Sequence, residues 1–457
     1  MADQVLQSTH LNSWLSPKLG AARWCVAFSG GPDSTALLHL IHTWCLGHSG
    51  NTPPLFALHV NHGMQSDADK WQLHCESLCA AWGIPIIVSQ ALVDRAGQGS
   101  EAAAREARYC LFEAEIEAGD ILFMGHHLDD QVETYFLRLM RGSGLSGLSG
   151  IPARRKLGGG ELIRPLLEVE RRSLEEYITA HKLVTIEDPS NLDTAIDRNY
   201  LRQKVLPLLG ARWGGYRRTV ARAGEHAAVG LAVINECLPL PKTVFSVLGD
   251  PGIEQRALNS VSVEAAMIIL RRWLQSAGYS MPDQALLTEF MRQLREGAAA
   301  SSPRLVCSNY GLQRYQNRVY LLPDFLNDEE QASRPESIKI CPGEVHELTG
   351  VGTVGLVSGA VQGLSLDAHD TLELRWRSGG ERCRPKGRPY NQRLKKLFQE
   401  FAVPPWWRER VPLLYLEDEL LAVGGLWLCE SSRLCAQEVP SEGLWQLAWQ
   451  RKPCAFD

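Results

Sequence analysis

With 457 residues, 45% of them apolar, the chain can build several packed cores and is neither a disordered segment nor a small stapled scaffold. Its 47 basic and 52 acidic side chains leave a net charge of −5, so any nucleic-acid surface has to be a local patch. The 12 cysteines include no Cys-x-x-Cys pair, Cys75 and Cys79 being the tightest spacing, which argues against zinc or iron–sulfur sites built on such pairs.

There is no basic-then-apolar leader and no apolar run of membrane length, so a cytosolic protein with reduced thiols and no membrane partner is expected. In chain order, residues 23–28, 54–60, 84–88 and 121–125 read as short apolar strands. Residues 33–44, 67–82, 100–118 and 128–141 read as the helices between them. Strand–helix alternation of this kind predicts an α/β fold with a doubly wound, mostly parallel sheet. Its ligands belong at the carboxyl ends of the strands. A Gly/Ser-rich stretch and a basic triplet, together residues 142–156, read as a mobile loop. Helices follow at 170–181 and 198–209. A Pro-containing stretch at 238–251 marks a boundary. Beyond it come helices at 262–276 and 282–296, a hairpin within 303–322 and an acidic linker at 323–335. The last third alternates like strands and ends in a hairpin, 411–416 with 420–426. The expected domains are therefore 1–235, 236–335 (helical and mixed) and 336–457 (α+β).

The strongest chemical signal is Ser29-Gly30-Gly31-Pro32-Asp33-Ser34, between a strand and a helix. Glycines let consecutive amides point inward, and the helix start adds partial positive charge, so the segment suits a phosphate. It lacks the Gly-Lys-[Ser/Thr] ending of a Walker loop. Asp33 inside it suits a Mg²⁺ held against a nucleotide. At the fourth strand's end, His126-His127 precede Asp129, Asp130 and Glu133. Asp130 and Glu133 share a helix face, where they can take Mg²⁺ or an ammonium group, or simply cap the helix. His59, His62, His126 and His127 suit contacts to nucleotide or backbone better than a metal.

The Ser29–Ser34 segment resembles the pyrophosphate loop of the N-type ATP pyrophosphatases. Further stretches resemble the tRNA(Ile)-lysidine synthetases: LHVNHG at 58–63, EAAAREARY at 101–109, GHHLDDQVET at 125–134, RLMRGSG at 138–144, EDPSN at 187–191, RNYLR at 198–202 and VLPLL at 205–209. Near the end, GER at 380–382, LKKLF at 394–398, VPPW at 403–406 and RVPLL at 410–414 resemble that family's last domain. Met64-Gln65 departs from the family's Leu-Arg.

The resemblance implies ATP-dependent joining of free L-lysine to C2 of the wobble cytidine in the CAU anticodon of tRNA(Ile), through an adenylated cytidine. Lysidine, AMP and pyrophosphate are the products. It implies an ATP site at Ser29, Gly30, Gly31, Pro32, Asp33, Ser34, His59 and Arg105, and Mg²⁺ on Asp33 and Asp130. Asp130 and Glu133 would take lysine's cationic end, and with Asp33 would form the catalytic set. A homodimer is compatible with this reading.

Residues 371–410 hold 11 Lys/Arg against 4 Asp/Glu, a local excess that suits tRNA phosphates. Arg384, Lys386, Arg388, Lys395, Lys396, Arg408 and Arg410 are the expected contacts. Trp406 and Trp407 either stack on a base or pack beneath the surface. Arg154-Arg155-Lys156 and Arg217-Arg218 either bind the anticodon stem or are solvated. Cytidine 2-thiolation on the same scaffold would call for cysteine pairs that are missing. Amide ligases of the GMP and NAD synthetase type would bring other domains. A non-catalytic tRNA binder would not need Asp33, Asp130 and Glu133 together.

Overall fold

The computed structural model describes residues 5–48, 50–61, 68–91, 100–298, 301–326, 337–348, 350–359, 362–367, 370–431, 433–436 and 443–451, the side chains of 100–104 and 325 excepted. His62, Met64 and Gln65 lie outside these residues, as does most of the acidic linker. Two compact units make up the chain, Met1–Cys237 and Leu238–Asp457.

In the first unit, a short helix α1 (Asn12–Leu15) precedes β1 (Trp24–Ala27) and α2 (Pro32–Gly47). Next come β2 (Leu55–Asn61), α3 (Ala68–Trp82), β3 (Ile86–Gln90), α4 (Ser100–Glu115), β4 (Ile121–Phe123) and α5 (Leu128–Met140). Each lies within a few residues of its expected position. The sheet order is β3-β2-β1-β4-β6-β5, where β5 (Arg154–Leu157) and β6 (Gly160–Ile163) form a hairpin. β6 joins β4 in parallel, so only β5 runs antiparallel. Trp24, Val26, Phe123 and Ile163 on the strands meet Leu37, Leu40, Ile41 and Trp44 of α2 in the main core. The chain leaves β1 toward β2 and β3 on one side and returns as β4 on the other. This switch opens a crevice between the β1 and β4 ends, the usual ligand position in such sheets.

Residues 142–156, expected as a loop, hold a short helix (Leu145–Leu148) and the strand β5, and side chains of α5 anchor the segment. Arg138 donates to the Gly147 and Gly150 carbonyls at 2.8 Å, and Gln131 exchanges two hydrogen bonds with the Ile151 backbone. Its glycines permit a turn, while side chains four or more residues upstream supply the anchors. The helix expected at 198–209 is Asp197–Tyr200, a π-turn over Leu201–Val205, and Leu206–Arg212.

In the second unit, a five-stranded antiparallel sheet includes the expected hairpin, Tyr310–Tyr315 with Arg318–Pro323. Helices Val263–Ser276 and Gln284–Glu296 pack on it through Leu270, Trp273, Phe290 and Met291. Two further five-stranded sheets share a core of Leu374, Leu414, Ala422, Val354 and Leu447. One contains the final hairpin, Leu413–Leu416 with Glu419–Val423. Tyr320, Leu322 and Leu326 share another core with Phe398, Trp407 and Val411, so packing runs on across the boundary expected near 335. No helix among the described residues is long and apolar enough to cross a membrane.

Candidate active site

Ser29–Ser34 leaves β1 and becomes the first turn of α2, with Gly31 as N-cap. Ser34 holds the turn: its hydroxyl accepts from the Ser29 N–H at 3.2 Å and donates to the Gly31 carbonyl at 3.1 Å. Gly30 has φ +77°, and a Cβ there would meet Ile186 Cδ1 at 2.7 Å and Cys75 Sγ at 2.9 Å. Only glycine fits both limits. At the β4 end, a Cβ on Gly125 would come within 2.8 Å of the Asp33 carbonyl oxygen, so glycine lets the two loops touch. His59 closes the neighbouring strand end, its Nδ1–H donating to the Phe28 carbonyl at 2.8 Å. Burial pulls it below the ordinary histidine value.

His127 joins the two acidic segments. It is the N-cap of α5, and Asp130, three residues on, accepts its backbone N–H at 3.0 Å. The capping pair is therefore His127 with Asp130, not Asp130 with Glu133, because the helix begins at Leu128. The buried His127 ring points Nε2 at Asp33 Oδ1 (3.5 Å) and Asp130 Oδ2 (3.6 Å). Burial opposes its charge, but Asp33, Asp130 and Asp129 outweigh burial and raise its pKa.

Behind this pair stands an arginine clamp. Arg198 Nη2 donates to Asp130 Oδ1 and Arg198 Nε to Glu133 Oε2, both at 2.6 Å. Arg202 Nε donates to Glu133 Oε1 at 2.6 Å. Glu133 is 1% exposed, and both of its oxygens face guanidinium groups. For Asp130, burial favours the neutral acid, but His127 and Arg198 prevail and hold its pKa below the ordinary carboxylate range. Asp129 accepts the Arg171 amide at 2.9 Å and Arg217 Nε at 2.5 Å, which takes Arg217 out of the solvated basic set.

His126 faces Arg164, whose Nε donates to His126 Nδ1 at 3.1 Å. Burial, helped by nearby arginines, lowers the His126 pKa to about 4. An unfolded histidine titrates near about 6.5. His126 thus adds stability above that pH, and the contribution is lost as pH falls toward the folded value. His126→Gln is expected to flatten the acid-side decline in unfolding free energy, measured by urea titration at several pH values. An unchanged decline would contradict this.

The structure thus brings together Asp33, His127, Asp130 and Glu133 beside the Ser29–Ser34 loop. Arg105 is on the exposed side of α4, its guanidinium 5.3 Å from the Tyr109 ring centre. Arg198 and Arg202 belonged to a matched stretch without a role, and their i, i+4 spacing was the available signal. Nothing in their local sequence names carboxylates more than 60 residues upstream as partners.

In the second unit, Leu394, Leu397 and Phe398 are buried on the helix Leu394–Glu400, leaving Lys395 and Lys396 exposed. Arg384 and Lys386 are exposed too, and Arg388 pairs with Glu400 at 2.6 Å. Arg410 does not join them. It is 8% exposed, and its Nη1 faces the Gly350 carbonyl. Arg408 is turned inward to the Val403 carbonyl and the Tyr315 hydroxyl. Trp407 is 1% exposed and donates to the buried Asp250 carboxylate at 2.8 Å, while Trp406 reaches the same group at 3.3 Å. Packing beneath the surface is therefore the structural outcome for this pair.

Comparison with known proteins gives three family matches: a PP-loop domain at residues 4–209, a TilS substrate binding domain at 255–320 and a TilS substrate C-terminal domain at 372–449. The tRNA(Ile)-lysidine synthase of Serratia proteamaculans is 36% identical over 98% of this chain and 100% of its own length. The Pseudomonas putida protein of the same name is 38% identical, over 90% and 94% respectively. That of Coxiella burnetii is 33% identical, over 91% and 92%. Agreement at this level across nearly the whole length, with all three domain models in order, means that the chain belongs to the tRNA(Ile)-lysidine synthase family.

Proposed function

We propose that this chain uses ATP to activate the wobble cytidine of tRNA(Ile) and joins free L-lysine to it, making lysidine in the cytosol. The CAU anticodon then reads AUA in place of AUG, and the tRNA changes identity from methionine to isoleucine. The observation that carries the reading is the meeting of the Ser29–Ser34 loop with Asp33, Asp130 and Glu133 at one sheet edge, in a chain of this family.

Ser29, Gly30, Gly31 and Ser34, with the start of α2, hold the pyrophosphate of ATP, and Pro32 sets the helix entry. His59 is proposed on the nucleotide side. The C2 carbonyl oxygen of cytidine attacks the α-phosphate, forming an adenylated base and releasing pyrophosphate. The lysine ε-amine then attacks C2, expels AMP and loses a proton. Asp33 and Asp130 are the hard oxygen donors that would hold Mg²⁺; both face His127 Nε2, and the Asp33 side chain, 39% exposed, is open to an ion brought in with the nucleotide. Bound there, the ion would offset negative charge on the reacting phosphates. Asp130 and Glu133 take lysine's cationic end, so the amino acid competes with Arg198 and Arg202 for these carboxylates.

The test is to incubate protein, Mg-ATP, labelled lysine and tRNA(Ile) bearing a CAU anticodon, then digest the RNA. A lysine-bearing cytidine by mass spectrometry, with AMP released in step, is the expected result. AMP release without lysine incorporation would point to another nucleophile. Neither event with folded protein would defeat the catalytic reading.

The exposed basic face of the second unit holds tRNA by its phosphates. Changing Lys395 and Lys396 together to Glu is expected to weaken tRNA binding and reduce the salt slope by about two, with thermal stability unchanged. Filter binding at several salt concentrations checks it, and an unchanged slope would refute it.

A further inference from the structure

Arg164, immediately after β6, is 2% exposed, yet no described carboxylate pairs with it. Its donors go to neutral acceptors: His126 Nδ1, the Pro152 carbonyl at 2.7 Å and the Tyr109 hydroxyl at 3.1 Å. Other arginines collect around the same tyrosine. The Arg155 guanidinium lies 4.7 Å from the Tyr109 ring centre and that of Arg105 5.3 Å from it. Arg138 donates to the Gly147 and Gly150 carbonyls, and among the described residues the contacts of these four arginines are to neutral groups, with no ion pair. Burial weakens the charged form of Arg164, and the positive charges of Arg155 and Arg105 add to that effect against the Tyr109 hydroxyl. Arg138 is likewise lowered, by burial and then by Arg105.

A buried cation surrounded by like charges is costly unless an anion completes the arrangement. Carboxylates a few residues along α5 are each matched to an arginine, so the unpaired set is a local property of the β4–β6 edge. Arg105 and Arg155 keep it open to solvent. His126 and Arg164 follow β4 and β6, which puts the cluster at the carboxyl ends of the strands, on the crevice side of the sheet.

We propose that Arg105, Arg155 and Arg164, gathered around Tyr109, form a second phosphate site that grips a phosphodiester of the RNA substrate, an assignment that rests on the function proposed above. Planar guanidinium forks suit phosphate oxygens, and the tyrosine ring holds two of the forks at its π-surface. RNA is favoured over the triphosphate of ATP because the nucleotide has its own cradle on β1. Arg155 itself belongs to the edge strand β5 and is part-exposed, so the cluster opens at the rim of the sheet, where a phosphodiester of a large substrate has access.

The experiment measures binding of a fluorescein-labelled anticodon stem–loop of tRNA(Ile) to the full-length protein by anisotropy. It is run without ATP or lysine, at several salt concentrations, with ATP KM measured separately. Arg155→Ala is expected to weaken binding about tenfold and to reduce the salt slope by about one, with ATP KM unchanged. Arg105→Ala, on the exposed side of α4, gives the same direction of change, and Arg155→Lys restores the slope. If affinity and slope stay at wild-type values in both alanine variants, the site is overturned. A raised ATP KM with unchanged RNA binding also overturns it, assigning the cluster to the nucleotide's phosphates. A wild-type protein that binds no RNA would overturn the proposed function itself, and this site with it.

Discussion

Replacing Asp130 by asparagine is expected to lower kcat/KM for lysine transfer about 10³-fold while tRNA affinity stays within about twofold. Asparagine keeps the shape and an oxygen that can accept the His127 N–H, so the start of α5 survives. What disappears is one negative charge facing His127, Arg198 and, at 3.9 Å, Arg202. A site already holding two guanidinium groups then repels both Mg²⁺ and the lysine ammonium. The charge is available at working pH because its folded pKa is depressed. Its contribution to stability is present above the ordinary carboxylate pKa of about 3.9 and is lost as pH falls through the folded value. Single-turnover assays with labelled lysine, beside filter binding of tRNA, make the measurement. Lysidine formation within tenfold of wild type would remove Asp130 from the chemistry. A parallel loss of tRNA binding would make its role structural.

Glu133→Ala is expected to destabilise the first unit by about 3–5 kcal/mol, the typical cost of removing one partner from a buried ion pair. Glu133 receives three guanidinium hydrogen bonds of 2.6, 2.6 and 2.9 Å from Arg198 and Arg202. Without it, Asp130 at 3.9 Å is the one ion-pair partner left to Arg202 among the described residues, and Arg198 loses one of its two there. Calorimetry should show the transition of the first unit falling by roughly 10 °C. Glu133→Gln keeps the shape and one oxygen acceptor, and is expected to recover part of that loss. Lysine KM should rise in both variants, since the ammonium loses a carboxylate. A melting temperature unchanged in Glu133→Ala would mean that Arg198 and Arg202 are stable alone, and the clamp would lose its structural meaning.

Much of the first unit was legible beforehand. Its strands are short apolar runs and its helices follow local period and caps, so β1 to β4 and α2 to α5 fell where expected. The Ser29–Ser34 loop was readable because its requirements are local: glycine at a positive φ, a hydroxyl to close the turn and a helix start behind it. The β5–β6 hairpin was not, because Arg154-Arg155-Lys156 has no apolar face and becomes a strand only by pairing with β6. The Gly/Ser-rich stretch before it read as a loop for the related reason that its anchors, Arg138 and Gln131, belong to the preceding helix.

By itself, the sequence determined the α/β alternation, the phosphate loop, the acidic pair on one helix face and the basic excess at 371–410. All of these follow from residue type and short spacing. Tertiary structure alone decided the partners and the exposure of the charged groups. Arg198 and Arg202 neutralise Asp130 and Glu133 from more than 60 residues away, and His127 joins Asp33 to Asp130 only because β1 and β4 are neighbours. Arg408 and Arg410 look like surface residues in a basic segment and Trp407 reads either way, yet all three turn inward, to backbone carbonyls, Tyr315 and Asp250. Local periodicity says which side of an element is apolar. Which buried polar atom meets which partner depends on where distant segments come to rest, because a desolvated charge has to be matched wherever packing leaves it.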